Sequence, residues 1–425
     1  MNLSVRAVAA SLIDEVARGG SLNTVYSAAE NTVATSERPF LRELVYGTLR
    51  LWPLYKGVIR QVLDRPLKAK DSVLEAVLIL GMYELDEGNT PAYASVSAAV
   101  DCCEQLGKRW ASRLVNGCLR QYQRDRDAML ASLGESERAA LPGWLFKLLA
   151  KTYPAQLEQI GRASKSRPPL TLRVNQLRMS KEDYQALLSD AEVASVNVGL
   201  NALTLVKPMP VNQVPLFEEG FSSVQDASAQ HAANLLSITA DMNVLDACAA
   251  PGGKACHLAE RGARVTAMDV SEARLGKVSE NAARLKLNVR TVPGDARCLS
   301  EVLADELFDA ILLDVPCSAT GVMRRNPDVK VIRTKADVEQ FASLQLELLQ
   351  SAWLQLVAGG QLLYVTCSLL PQENDAVIDA FIARESNASV SPLPMTVGID
   401  MRFGQQVIPS VDGGDGLYYS LLIKL

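Results

Sequence analysis

The sequence predicts an α/β chain built on a doubly wound sheet, preceded by an all-helical bundle and a small α+β connector. Three observations predict it. Apolar residues recur at helical spacing from the start to about Arg126, apolar and polar residues alternate along Leu170-Thr171-Leu172-Arg173-Val174-Asn175, and after Thr239 short apolar runs alternate with helical stretches. A chain of 425 residues is too long for one core, and these changes of pattern divide it at 1–140, 141–238 and 239–425.

The bundle comes first. Val5-Arg6-Ala7-Val8-Ala9 through Val16 and Phe40-Leu41-Arg42-Glu43-Leu44-Val45 carry the helical repeat with few β-branched alternations. Within it, Lys108, Arg109, Arg113, Arg120, Arg124 and Arg126 cluster against the single acid Asp125. A solvated helix face is the common meaning of such a cluster; a local phosphate contact is the functional one.

The connector begins with further helix and turns extended after Arg167-Pro168-Pro169, and Pro208-Met209-Pro210 breaks it again. In the last segment the expected strands are Asn243 to Ala247, Arg264 to Met268, Val289 to Val292, Asp309 to Leu313 and Gln361 to Thr366. Strand alternating with helix argues for a parallel sheet, whose strand carboxyl ends open onto one crevice.

Composition narrows the classes. With 48% hydrophobic and 21% charged residues the chain has material for packed cores, and a net charge of -5 argues against indiscriminate binding to polyanions. The eight cysteines form no CxxC pair and His231 and His257 are the only histidines, so we expect no metal site and reduced thiols. No apolar run approaches the roughly 18 residues of a membrane span, and no signal-like start is present; the expectation is a cytoplasmic monomer.

The turn after the first strand, Asp246-Ala247-Cys248-Ala249-Ala250-Pro251-Gly252-Gly253-Lys254, leads small residues into a helix N-terminus, as nucleotide-type loops do. It lacks the spacing of a Walker A loop, with Cys248 and Ala255 at key positions, and the dinucleotide fingerprint is absent. Asp269 and Asp295 follow the second and third strands, placed for ribose hydroxyls and an adenine amino group. Each could instead cap a helix, as could Ser271; three strand-end acids in succession, Asp246 included, favour a cofactor without a pyrophosphate, namely S-adenosylmethionine. Lys254 reads either as fixing the loop or as touching substrate.

Two cysteines end strands: Cys317 in Asp314-Val315-Pro316-Cys317 and Cys367 in Thr366-Cys367-Ser368. Two thiols and the carboxyl of Asp314, converging at strand carboxyl ends, make a site for covalent chemistry. Position alone leaves the two thiols' roles open. Cys102, Cys103, Cys118, Cys256, Cys298 and Cys248 read as small buried groups, the last with its backbone lining the cofactor, and both histidines as structural.

Leu245 to Lys254, Asp314-Val315-Pro316-Cys317-Ser318-Ala319-Thr320-Gly321 and Thr366-Cys367-Ser368 together resemble the motifs of RNA cytosine-5 methyltransferases of the NOL1/NOP2/Sun family. Glu43-Leu44-Val45-Tyr46-Gly47-Thr48-Leu49-Arg50 and Val115-Asn116-Gly117-Cys118-Leu119-Arg120 resemble a NusB-like RNA-binding domain, and the middle region is matched by Leu170 to Asn175 and Val224 to Gln230. The resemblance implies a Rossmann-like methyltransferase sheet, S-adenosylmethionine, and methylation of one cytosine of 16S rRNA before full subunit assembly. It assigns Cys367 as the nucleophile that adds to C6 of cytosine, so that C5 can accept a methyl group, and Cys317 to release; Asp314 is a candidate proton donor to N3 and a candidate cofactor contact. Departures are Val315, Ala255 and Asn326, where the family has Ala, Thr and His; none removes a thiol or a cofactor carboxylate. Arg324, Arg325, Lys330, Arg333 and Lys335 follow the Pro-Cys motif, where they would hold the RNA backbone. Other classes considered are a non-catalytic RNA-binding assembly or antitermination factor, and an amino-methylating enzyme that needs no covalent cysteine.

Overall fold

The computed structural model describes residues 3–304 and 306–425. The chain forms two compact units, Met1–Arg167 with Met323–Thr334, and Pro168–Val322 with Lys335–Leu425.

The first unit is helical. Its central helix, Val73–Glu87, buries ten residues from Leu74 to Glu84, as a helix apolar on nearly all sides must. Helices Val5–Ala17, Arg38–Arg50, Trp52–Val62, Ala92–Gln105 and Ser112–Ala131 surround it in one apolar core. The one buried carboxylate of the central helix, Glu84, takes a bidentate pair from Arg6 at 2.7–3.0 Å. Of the clustered basic residues, Lys108 pairs with Asp71 at 2.7 Å and Arg126 with Asp86 at 2.6 Å, while Arg113, Arg120 and Arg124 stand exposed.

The segment Met323–Thr334 belongs to this unit, which corrects the expectation of an RNA-gripping basic loop for two of its members. Arg324 and Lys330 are 1% and 4% exposed. Lys330 Nζ donates to the carbonyls of Arg50 and Ser164 and to the Ser164 hydroxyl, and Val331 and Ile332 pack on the helical core. Burial, with Lys165 and Arg50 nearby, holds the Lys330 pKa well below its ordinary value. Lys335 alone of the five is exposed.

The second unit opens with a four-stranded antiparallel sheet, β1 (Thr171–Val174), β2 (Ser195–Asn197), β3 (Ala202–Leu205) and β4 (Ser222–Val224), ordered β2-β3-β1-β4. Leu172 and Val174 pack under helix Lys181–Asp190, but Thr171 and Arg173 are buried too, so β1 is covered on both faces rather than half-buried. Arg173 explains the second face. Its guanidinium grips Glu260 through two bonds, at 2.7 and 3.1 Å, and donates to Gln225 and to the carbonyl of Gly253. Removing one partner of a buried pair leaves an uncompensated charge, so Arg173→Met is expected to cost about 3–5 kcal/mol in denaturant melting, and Arg173→Met/Glu260→Met distinctly less.

The large sheet follows, with β5 (Asn243–Asp246), β6 (Arg264–Asp269), β7 (Val289–Pro293), β8 (Phe308–Asp314), β9 (Leu356–Thr366), β10 (Ala388–Ser391), β11 (Ile399–Asp400), β12 (Gln405–Val407) and β13 (Leu417–Lys424). Its order is β11-β12-β13-β9-β8-β5-β6-β7, with β10 on β13. Neighbours among β5 to β9 are parallel; β13 enters antiparallel to β9, pairing Tyr418 with Thr366, and makes the sheet mixed rather than purely parallel. Successive residues feed opposite cores: Val244, Ala310, Leu312 and Val365 on one face, Leu245, Ile311, Leu313 and Tyr364 on the other. Because the chain winds one way from β5 through β7 and the other way through β8 and β9, its direction reverses between β5 and β8. The crevice at their carboxyl ends is the place such sheets reserve for ligands.

Candidate active site

A cleft of about 490 Å³ opens at that reversal, within the usual size for a small-molecule site of roughly 300–1,000 Å³. Cys248, Ala250, Asp269, Asp295, Asp314, Cys317 and Cys367 all line it. The sequence named each of these. It did not name Arg274, Arg297, Leu344 or Leu348, which also line the cleft.

The small-residue loop is held from both sides. Ala247 N–H donates to Leu312 O and Ala249 N–H to Met268 O, before a cis Ala250–Pro251 peptide and the helix Gly253–Glu260. Gly252 has φ +101°, and a Cβ there would lie 3.0 Å from Val278 Cα, so glycine is required on two counts. Ala249, Pro251, Gly252 and Gly253 therefore shape the loop without lining the cleft.

Asp269 accepts from the Ala250 and Ser271 amides at 3.2 and 3.0 Å, and Arg274 braces both Asp269 and the Ala250 carbonyl. Asp295 caps the turn Ala296–Cys298 through the Arg297 amide at 2.9 Å and pairs with the Arg297 guanidinium at 2.6 Å, which holds its carboxyl below the usual range. Both acids thus cap local structure and face the cleft. Asp246 differs: it is 1% exposed and neither carboxylate oxygen has a hydrogen-bond partner among the described residues. Burial, reinforced by the charge of Asp314, pushes its pKa up to about 7.

Lys254 Nζ lies 2.6 Å from Asp314 Oδ2. Burial pulls the Lys254 pKa down, but the charge and hydrogen bond of Asp314 outweigh it and the net shift is upward. The lysine therefore reaches across from the glycine-rich loop to the end of β8 as an ammonium.

β8 and β9 lie side by side, with Asp314 opposite Val365, and the turns that follow bring Cys317 Sγ within 3.3 Å of Cys367 Sγ. The turns interlock through backbone. Gly321 N–H donates to the Cys367 carbonyl at 2.8 Å, and a Cβ at 321 would lie 2.0 Å from Gly416 O. Cys317 is buried; Cys367 is partly exposed. The hydrogen bond to Cys367, then burial, raises the Cys317 thiol well above its ordinary pKa, and either sulfur can be the donor in the bond between them.

Beneath the thiols is a buried polar network the sequence reading missed. It joins Ser318, Thr320, Gln345, Ser368, Glu373 and Asn374, all less than 1% exposed. Asn374 accepts from the Thr366 hydroxyl at 2.6 Å and donates to the Ser368 carbonyl at 3.1 Å, bracketing Cys367. No local signal marks it, because short polar residues around Pro371 read as an exposed turn.

The remaining cysteines mostly match expectation. Cys102, Cys103, Cys118 and Cys256 are buried and Cys248 is half-buried, with burial first among the causes that raise each thiol. Cys298 is a correction: it is exposed, because it ends a single turn and Leu299 takes the inward position. His257 is buried, with its pKa well below the ordinary value, in keeping with a structural role.

Comparison with known proteins gives a consistent picture. Residues 233–423 match the model for 16S rRNA methyltransferase RsmB/F, residues 3–124 that of the NusB family, and residues 141–212 that of the RsmF/B-like methyltransferase ferredoxin-like domain. The chain is 38% identical to ribosomal RNA small subunit methyltransferase B of Serratia proteamaculans (strain 568), over 100% of this chain and 99% of that one. It is 40% identical to the protein of the same name from Vibrio cholerae serotype O1, over 99% and 98%. Among solved structures it resembles PH0851, with TM-score 0.80, 22% identity and 100% of both chains covered. It also resembles a methyltransferase homolog protein from Pyrococcus horikoshii, with TM-score 0.60, 26% identity, and 68% and 97% covered.

Proposed function

The chain belongs to the RsmB/F family of 16S rRNA methyltransferases, and from that premise we propose the role of each site residue in S-adenosylmethionine-dependent methylation of cytosine C5 in rRNA. The observation that carries the assignment is the pair of thiols 3.3 Å apart at the cleft beside Asp314.

Cys367, the more exposed thiol, attacks C6 of the target cytosine. The S–C6 bond forms as the C5–C6 π electrons move toward N3, where the Asp314 and Lys254 pair supplies a proton. S-adenosylmethionine supplies the electrophilic methyl group that C5 then takes up. Water takes the C5 proton, the freed C–H electron pair forms the C5–C6 bond as S–C6 breaks with its electrons on the Cys367 sulfur, N3 returns its proton to the Asp314 and Lys254 pair, and Cys317, adjacent to the leaving sulfur, assists this release. The exposure of the two sulfurs supports the division of labour, since an entering base meets the more open Cys367 before the buried Cys317.

The residues suit the cofactor. Asp269 would hold the ribose hydroxyls and Asp295 the adenine, with Cys248 and Ala250 on the cleft wall and Ala249 and Pro251 to Lys254 shaping the loop behind them. Asp246 lies behind the cleft lining, where the charge of Lys254 partly offsets its burial, while Asp269, Asp295 and Asp314 face the cleft and suit a cationic ligand. Asp269→Asn is expected to weaken S-adenosylmethionine binding roughly 10- to 100-fold by calorimetry, the scale of hydrogen bonds to a charged group.

The proposed substrate is 16S rRNA ahead of full subunit assembly, when a cytosine can leave its stack at a cost of a few kcal/mol or less. The proposed setting is cytoplasmic and the proposed state monomeric; among the described residues no helix is long and apolar enough to cross a membrane. Mapping methylated cytosines in 16S rRNA after reaction with free RNA or with partly assembled subunits tests the substrate. Methylation of a nucleobase amino group instead of C5 would overturn the chemistry.

A further inference from the structure

Glu373 lies between β9 and the helix Asp375–Ile382 and is completely buried. A carboxylate persists in such surroundings only where donors meet it. One oxygen accepts from the Ser318 amide at 2.7 Å and from Gln345 Nε2 at 3.2 Å. The other accepts from the hydroxyls of Ser318 and Ser368, each at 2.5 Å. Ser318 follows Cys317 and Ser368 follows Cys367. Gln345 also donates to the carbonyl of Pro316, on the other side of Cys317, at 2.9 Å.

We propose that Glu373 is a positioning residue for methyl transfer: its single carboxylate ties the Cys317 turn to the Cys367 turn and holds the two sulfurs in the relation that addition and release require. The inference rests on the roles proposed above for these two cysteines. Burial pushes the Glu373 pKa up, and the four contacts, each bringing a donor to the carboxylate, oppose that shift and favour the ionised form. Its negative charge adds to what keeps Cys317 protonated, behind the Cys367 hydrogen bond, burial and the Cys367 charge. Glu373 thereby favours inequality between two thiols that are otherwise neighbours with similar chemistry.

The test is Glu373→Gln in the full chain, with Glu373→Ala beside it. Gln keeps the volume, but its amide cannot accept from four donors; its NH₂ must face either the fixed Ser318 N–H with Gln345 or the two hydroxyls. Small misplacement of reacting groups can cost 10²-fold, so kcat is expected to fall about 10- to 100-fold. The KM for S-adenosylmethionine and for RNA should stay within about threefold, as for loss of an interaction not used in ground-state binding. Limited iodoacetamide labelling read by mass spectrometry should show a higher Cys317 to Cys367 ratio than in the wild type. A kcat within about twofold of wild type overturns the proposal. So does a fall in kcat that tracks lost cofactor binding and leaves the labelling ratio unchanged, since that marks a role in folding only. Wild-type protein and Cys317→Ala run in parallel separate the two readings: failure of Cys317→Ala to trap RNA defeats the cysteine roles, while normal turnover of Glu373→Gln beside a trapping Cys317→Ala defeats this inference alone.

Discussion

Cys317→Ala protein incubated with 16S rRNA and S-adenosylmethionine is expected to accumulate a covalent RNA adduct that migrates slowly on a denaturing gel, and Cys317→Ala/Cys367→Ala to form none. The expectation follows from the asymmetry of the thiol pair. Cys367 is the more open to an entering base, and Cys317 is the buried, protonated neighbour 3.3 Å from the sulfur that must leave. Taking away the neighbour leaves addition and methyl transfer intact and slows release. Taking away Cys367 removes the bond on which the chemistry depends, and kcat should fall about 10⁴-fold or more, in line with the loss of other covalent nucleophiles. An adduct that survives Cys367→Ala and needs Cys317 would exchange the roles. Methylation by Cys367→Ala at normal rate would end the covalent mechanism.

Asp314→Asn should lower kcat by about 10²–10⁴-fold, the range for loss of a positioned proton donor, while S-adenosylmethionine still binds. Asn keeps the shape of the side chain but can neither balance the Lys254 ammonium 2.6 Å away nor relay its proton toward N3. Lys254→Met should lower kcat comparably, because the ammonium is the member of the pair that holds the proton. Single-turnover methylation with saturating cofactor reads the chemical step directly. Equal rates for wild type and Asp314→Asn would show that N3 takes its proton elsewhere.

The parts of the molecule that announce themselves in sequence are those where local pattern and tertiary role agree. β5, β8 and β9 are buried on both faces, so their apolar runs are long and their ends lie close to where the runs stop. The cysteines and aspartates of the cleft follow directly from those ends. β13 has an equally apolar run, yet its role depends on pairing with β9, a partner about fifty residues earlier, and local pattern carries no sign of that. Glu373 escaped notice because a carboxylate beside a proline ordinarily faces water; only the folded chain brings Ser318, Ser368 and Gln345 to it. Arg324 and Lys330 were misjudged for the same reason, since charged side chains are seldom wholly buried.

The inclusion of Met323–Thr334 in the helical unit has a consequence for how the protein is made. At typical elongation rates of about 5–20 residues per second, the ribosome needs roughly 8–30 s to advance from Arg167 to Thr334. Throughout that interval the bundle lacks the strip of chain bearing Val331, Ile332 and the Lys330 amine that satisfies the carbonyls of Arg50 and Ser164. The first unit to emerge is therefore not the first to be finished. Its last piece arrives only after the chain has laid down β8 and the Cys317 turn, so completion of the N-terminal body reports that synthesis has passed the first of the two reactive thiols.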